Sequence, residues 1–129
     1  MMELNKNDKE RQRILGIEGN DYSMGGTTRI RELTLAQLDE LLEKNFADPE
    51  DAQNNAPTFQ EIRDFIAAHP DFVAHGYAVS PERYDYRVSL EGIKLDRKPT
   101  EEELRDFVNF FRYADEFECE EDGCYAWYD

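Results

Sequence analysis

The sequence predicts an α+β fold in which three capped helices pack on an antiparallel sheet of about four strands. Two observations lead to this prediction. The phrase T-x-x-[EQ]-[IL]-x-[DE]-[FL]-[ILV] occurs three times, beginning at Thr34, Thr58 and Thr100. After the second and third phrases, short segments alternate apolar and polar residues with the period of half-buried strands.

Each phrase predicts the start of a helix. A threonine followed three residues later by Glu or Gln is a capping box, in which the two side chains satisfy free backbone N–H groups of the first turn. Pro70 ends the second helix, because proline disfavours helical geometry at the residue before it. Apolar residues at i, i+3 and i+4 predict the buried stripes. These stripes are Leu38, Leu41 and Leu42; Ile62, Phe65 and Ile66; and Leu104, Phe107 and Val108.

Two hairpins are predicted to follow the second and third helices. F-V-A-H-G-Y-A-V is one strand, S-P-E-R is a turn, and Y-D-Y-R-V-S-L is the returning strand, with Tyr84, Tyr86, Val88 and Leu90 on one side. The second hairpin joins E-F-E-C-E to C-Y-A-W-Y through a D-G turn signal. The order is therefore one helix and then two α-β-β units. Duplication of such a unit and independent convergence on good helix caps both explain the repeated phrase.

The domain organisation predicted is a flexible polar leader over residues 1–23 and a single acidic α+β domain over residues 24–129. The leader is polar at first and is then interrupted by glycines. The formal net charge of the chain is −15. Residues 1–31 hold six Lys/Arg and five Asp/Glu, a balance of +1, so residues 32–129 carry −16.

This charge excludes some classes of partner. Direct binding of nucleic acid needs an excess of cations, and an anionic membrane surface is disfavoured for the same reason. The sequence contains neither an apolar run long enough to span a bilayer nor an apolar N-terminal signal segment. We therefore expect a cytoplasmic protein in which the two cysteines are reduced thiols.

Residues for catalysis or metal binding are few, and we predict no cofactor and no enzymatic activity. The serines lie outside known nucleophile motifs, and His69 and His75 suit a helix end and a strand. The alternative hypothesis is a metal-dependent or hydrolytic enzyme, or a structural subunit. Its zinc version uses His69, His75, Cys119 and Cys124, whose spacing is loose for zinc. Its calcium version places Glu118, Glu120, Asp122, Gly123 and Asp129 at positions one, three, five, six and twelve of a calcium loop.

The C-terminal hairpin is the predicted contact surface, because residues 115–129 contain seven acids and no Lys or Arg. The candidate partner-binding residues are Glu116, Glu118, Glu120, Glu121, Asp122 and Trp127. We favour a three-residue E-D-G loop, which puts Tyr125 and Trp127 on the face opposite the glutamates and keeps the cysteines apart. An even-length loop would put both aromatic residues beside the glutamates, and one of four residues would set Cys119 opposite Cys124.

These observations predict a non-catalytic acidic module that binds a basic protein surface. A row of carboxylates can steer and hold cationic groups, and against a nucleic-acid-binding partner it would act as a nucleic-acid mimic. The competing interpretation is an edge strand made acidic to discourage sheet-to-sheet aggregation.

Overall fold

The computed structural model describes residues 3–23 and 25–129. Its elements, in chain order, are α1 (Asp8–Leu15), β1 (Thr27–Leu33), α2 (Leu35–Glu43), α3 (Phe59–Ala68), β2 (Val73–Val79), β3 (Val88–Leu95), α4 (Glu101–Phe111), β4 (Glu116–Glu120) and β5 (Gly123–Trp127).

The fold is α+β, as predicted, with helices packed on a five-stranded antiparallel sheet. The strand order is β1-β2-β3-β5-β4, and every neighbouring pair is antiparallel. The order α-β-β occurs twice, as α3-β2-β3 and as α4-β4-β5. The two hairpins meet through their second strands, so β4 lies at one edge of the sheet and β1 at the other.

The three predicted capping boxes are confirmed. At Thr34, Thr58 and Thr100 the hydroxyl accepts a hydrogen bond from the backbone N–H three residues on, and the Gln or Glu side chain there accepts one from the threonine N–H. The second helix ends before Pro70, with His69 as its C-cap. Capping is a contact among neighbours in sequence, so the local pattern is sufficient to predict it.

The predicted stripe on α4 is wrong in its outer two positions. Leu104 and Val108 are 39% and 38% exposed, whereas the buried face consists of Glu103, Phe107 and Phe111. The large Phe107 and Phe111 rings fill the space against the sheet. Glu103 is tolerated there because Arg97 donates to both of its carboxylate oxygens, at 2.9 and 2.7 Å.

Two strand predictions need correction. Strand β1 is absent from the sequence-based prediction because T-T-R-I-R-E-L has too few apolar residues to suggest one. The strand predicted over residues 84–90 begins only at Val88. Tyr84 is fully exposed and Tyr86 is buried, so they do not share a face. Asp85 accepts hydrogen bonds from Arg83 and Arg87, which holds this stretch as an irregular turn.

Part of the segment expected to be a leader packs in the core. Residues 8–15 form α1, and Ile14, Leu15 and Tyr22 belong to the same buried cluster as the sheet residues. Residues 1 and 2 of that segment, and residue 24 at the expected boundary, lie outside the described residues. The packed domain therefore begins well before residue 24.

Arg11 anchors this N-terminal segment, because its side chain is fully buried and its guanidinium bonds to groups from other parts of the chain. Its guanidinium pairs with Asp8 at 2.9 Å and donates to the Tyr22 hydroxyl at 2.9 Å. It also donates to the backbone carbonyl oxygen of Val79, at 2.8 Å, and lies 4.2 Å from the centroid of the Tyr86 ring. Burial raises the pKa of Tyr86 to about 12, so that phenol stays neutral beside the cation.

We predict that Arg11→Met lowers the free energy of unfolding by about 3 kcal/mol, because it leaves Asp8 without its cation and the carbonyl oxygens of Val79 and Arg87 without this donor. Urea denaturation measures this loss. Arg13→Met on the same helix is the matched control, since its side chain is 52% exposed and water screens its ion pairs. Equal effects of the two substitutions would contradict the anchoring role of Arg11.

Candidate protein-binding site on the C-terminal hairpin

The register of the C-terminal hairpin differs from the one we favoured. Glu120 pairs with Gly123, so the loop between β4 and β5 consists of Glu121 and Asp122 alone. The E-D-G loop of three residues is therefore wrong, and the even-length alternative is observed. Cross-strand neighbours are now Glu118 with Tyr125 and Glu116 with Trp127.

Two contacts explain this register. Gly123 lies against β3, where a Cβ atom would overlap the carbonyl oxygen of Leu95, so it must be a strand residue without a side chain. Cys119 lies directly opposite Cys124, with their Cα atoms 4.2 Å apart, and the two form a disulfide. The expectation of reduced thiols is corrected accordingly. The favoured register had kept the two cysteines on opposite faces.

The glutamates of β4 form what we call the carboxylate row, which consists of Glu116, Glu118 and Glu120. They alternate with Phe117 and Cys119, which face the helices, so the row lies on the opposite face of the sheet. All three glutamates are exposed. Within residues 3–23 and 25–129, none of them has a side-chain hydrogen bond or an ion pair. The row thus presents three carboxylates that form no ion pair with a cation of the described residues.

Aromatic residues flank the carboxylate row on the same face. Tyr125 stacks on the His75 ring with centroids 5.1 Å apart and planes 6° from parallel. Burial, followed by the nearby Glu116 carboxylate, raises the pKa of Tyr125, in keeping with a partly buried phenol beside negative charge. Trp127 lies half-buried opposite Glu116. The two rings and the glutamates together form the exposed acid-and-aromatic patch expected for an even-length loop.

The lysine that lines the same depression as the row is already engaged. Lys94 pairs with Tyr125 across β3 and β5, but its ammonium group forms ion pairs with Glu32 at 3.3 Å and Asp96 at 3.6 Å. The turn acids Glu121 and Asp122 are exposed at the end of the row. Between Lys94 and the row lies a shallow depression of about 190 Å³. It is lined by Asp96, Glu118, Glu120, Asp122 and Tyr125, among others.

The six predicted site residues are brought together by the hairpin. Glu116, Glu118, Glu120 and Trp127 share one face, and Glu121 and Asp122 form its turn. Tyr125 was not among the predicted contact residues, although the even-length register implied its place. The contact of Tyr125 with His75 depends on the pairing of β3 with β5, which joins the two hairpins and for which the hairpin sequences contain no signal.

A second candidate is the groove of about 490 Å³ between α3 and α4. His69 lies in it, and its Nε2 is 2.9 Å from a carboxylate oxygen of Asp106. Phe65 and Phe110 form an apolar floor. A histidine oriented by an aspartate is half of a nucleophilic site, but no Ser, Thr, Cys or Lys lines the groove. The groove therefore offers the hydrolytic alternative carboxylates, but no hydroxyl, thiol or amine nucleophile among the described residues.

The residues of the metal hypotheses are separated. His69 is in the α3–α4 groove, His75 is under Tyr125 on the sheet, and the two cysteines are joined to each other. The calcium-loop residues lie in the extended strands and turn of the hairpin. In the described ranges, no group of three or more His, Cys, Asp or Glu side chains is arranged to hold a metal ion.

Comparison of the chain with models of protein families, with curated protein sequences and with solved structures finds no match. Among the residues that the structure describes, no helix is long and apolar enough to cross a membrane.

We predict that His75 makes the stability of the domain depend on pH. Burial lowers the pKa of His75, the bond to the Ala126 carbonyl raises it, and the nearby Arg29 and Lys94 lower it, so that the pKa is about 4. The unfolded chain binds a proton at His75 near its ordinary pKa of 6.5, whereas the folded chain does not. Stability is therefore present above pH 6.5 and is lost as the pH falls towards 4, with a slope approaching about 1.4 kcal/mol per pH unit.

Carboxylates also titrate in this pH range, so the quantity to measure is the difference in unfolding free energy between the wild type and a variant without His75. Denaturant unfolding of the wild type and of His75→Gln at several pH values between 7 and 4 isolates the histidine. The gap between the two should narrow, or reverse, as the pH falls. If the unfolding free energies of the two proteins changed in parallel with pH, His75 would not be the source of the pH dependence.

We also predict that reduction of the Cys119–Cys124 disulfide lowers the free energy of unfolding by about 2 kcal/mol, since it closes a loop of only a few residues. Thermal melts with and without reductant measure the loss. The double variant Cys119→Ala, Cys124→Ala is the control and should be insensitive to reductant. An unchanged wild-type melt would mean that the crosslink does not constrain the unfolded chain.

Proposed function

We propose that this protein is a non-catalytic acidic module that binds a basic surface of a partner protein through the C-terminal hairpin. The contact residues are the carboxylate row, the turn residues Glu121 and Asp122, and Trp127. The observation that carries the proposal is the absence, within the described residues, of any cation paired with the carboxylate row.

The cost of keeping these charges together favours a role in binding. Glutamates at alternate positions of one strand repel one another and contribute nothing to the packing of the core. Elsewhere on the surface some acids have cationic partners, as Asp39 does with Arg63 and Glu40 with Lys44. A partner that supplied Lys or Arg to the row would relieve this repulsion, and the net charge of −15 would speed its approach at low salt.

The spacing of the row distinguishes between a general acidic surface and a nucleic-acid mimic. Alternate residues of a strand are about 6.8 Å apart. A single strand of duplex DNA carries one charge per about 3.4 Å of helix axis, so the row has about half that linear density. The turn acids add charge at one end only. We therefore propose docking on a basic protein surface as the primary function, with mimicry as the finer hypothesis.

We predict that the triple variant Glu116→Gln, Glu118→Gln, Glu120→Gln binds its partner on the order of tenfold more weakly. Three exposed ion pairs at about 0.5 kcal/mol each supply this difference. Capture of partners from a lysate by the immobilised chain, at low and then at high salt, measures the effect. Salt should release the partners retained by the wild type.

The matched control is Glu43→Gln, Glu50→Gln, Glu82→Gln, which removes three exposed acids outside the hairpin. It reduces the negative net charge by the same amount and should retain the captured partners. Equal loss of binding in both triple variants would show that total charge, and not the row, is responsible. Release of a captured partner by added duplex DNA would support the mimic hypothesis, and retention would argue against it.

A further inference from the structure

The carboxylate row lies on an open edge of the sheet. Strand β4 is the last strand in the order β1-β2-β3-β5-β4 and is paired only with β5 in the described part of the chain. Its other side therefore presents unpaired backbone N–H and C=O groups, which form a template for one more strand. A partner that binds the row has this template beside it.

The register identifies which backbone groups face the open edge. Directly opposite residues of an antiparallel pair are about 4.5 Å apart in a non-hydrogen-bonded pair and about 5.5 Å apart in a hydrogen-bonded one. The Cα atoms of Cys119 and Cys124 are 4.2 Å apart, so this pair is of the first kind. The N–H and C=O groups of Cys119, and of Phe117 two residues before it, accordingly point away from β5. The same groups of Glu118 point towards β5.

The two faces beside this edge differ in chemistry. On one face lies the carboxylate row. On the other face Phe117 is 37% exposed, and Leu104 and Val108 of α4 are 39% and 38% exposed. Leu104 and Cys119 line a common hollow of about 300 Å³, whose other lining residues are Lys98, Pro99, Glu120 and Glu121. An apolar stripe thus follows the helix side of β4 while carboxylates follow its outer side.

We propose that β4 accepts an extended segment of a basic protein as a sixth strand, in which cationic residues alternate with apolar ones. This inference rests on the proposed function and specifies its mode. The partner's Lys or Arg side chains at i, i+2 and i+4 lie opposite Glu116, Glu118 and Glu120. Its intervening apolar side chains cover Phe117 and Leu104, and its backbone bonds to Phe117 and Cys119. Five partner residues suffice, because β4 itself has five.

A second copy of this chain fits the edge less well. Two β4 strands would bring two carboxylate rows together. Strand β1 carries Arg29 and Arg31, but its register shifts between Ile30 and Leu33, and Arg29 already lies 3.9 Å from Glu91. Association of copies that each carry −15 is also opposed at low salt. We therefore propose that the strand added to the β4 edge is a segment of a different, basic protein.

The test uses two peptides of identical composition, one with the core Lys-Val-Lys-Val-Lys and one with the three lysines consecutive. Trp127 is the chain's single tryptophan and lies beside the row, so its fluorescence reports binding to the full chain. We expect the alternating peptide to bind at least tenfold more tightly at low salt. In hydrogen exchange, the amides of Phe117 and Cys119 should gain protection on binding, while that of Glu118 is already protected in the free chain.

A pair of variants isolates the backbone contact. Phe117→Pro removes an outward N–H, which a strand edge tolerates, whereas Phe117→Ala removes the same ring and keeps the N–H. The proline variant should bind the alternating peptide no better than the control peptide, and the alanine variant should keep a preference for it.

The outcomes separate the two proposals. Equal binding of both peptides, or binding without new protection at Phe117 and Cys119, would overturn strand addition and leave electrostatic docking in place. Failure of both peptides to bind at low salt would overturn both. Self-association of the chain without peptide, seen by sedimentation, would replace the basic partner by a second copy.

Discussion

The pairing of β4 with β5 is the constraint on which the candidate site depends. A shift by one residue moves every side chain of a strand to the opposite face. The two-residue turn sets Glu120 against Gly123, and Gly123 can lie against Leu95 only because it has no side chain. The Cys119–Cys124 crosslink then locks the same register. As a consequence Phe117 packs on Phe107 with ring centroids 5.1 Å apart, and the glutamates face outward beside Tyr125 and Trp127.

The protective interpretation of the acidic edge and the proposed docking on it are compatible. Charged side chains on an edge strand discourage pairing with another copy of the same sheet, which is the protective interpretation of the row. The same charges do not repel a strand of opposite charge, so discouraging a second copy is compatible with the proposed binding of a basic segment. The exposed side chains of Leu104 and Val108 help to distinguish protection from aggregation from docking of a partner. Protection from aggregation does not call for apolar side chains beside the edge, whereas a docking surface does.

The rest of the fold supplies a rigid base for this edge. Helix α4 holds β4 from the core side through Phe107, and α4 is itself tied to the preceding loop by Arg97 and Glu103. The Arg97 guanidinium holds the pKa of Glu103 at about 2, so this tie persists at mildly acidic pH. At the far end of the sheet, Arg11 joins α1 to β2. The N-terminal segment is thereby part of the domain, far along the sheet from the carboxylate row.

The sequence by itself determined those features that depend on neighbouring residues. The three capping boxes, the end of α3 at His69, the two hairpins and the outward alternation of Glu116, Glu118 and Glu120 all follow from local geometry. Only the tertiary structure decided the face of α4, the docking of α1, the presence of β1 and the hairpin register. Each of these features depends on which of several side chains, distant in sequence, occupies the limited space in the core. On α4, Phe111 is buried and Leu104 is exposed. Helix α1 is polar, yet it packs in the core because the side chain of Arg11 is buried there. The carbonyl oxygen of Leu95 leaves room only for a glycine at position 123.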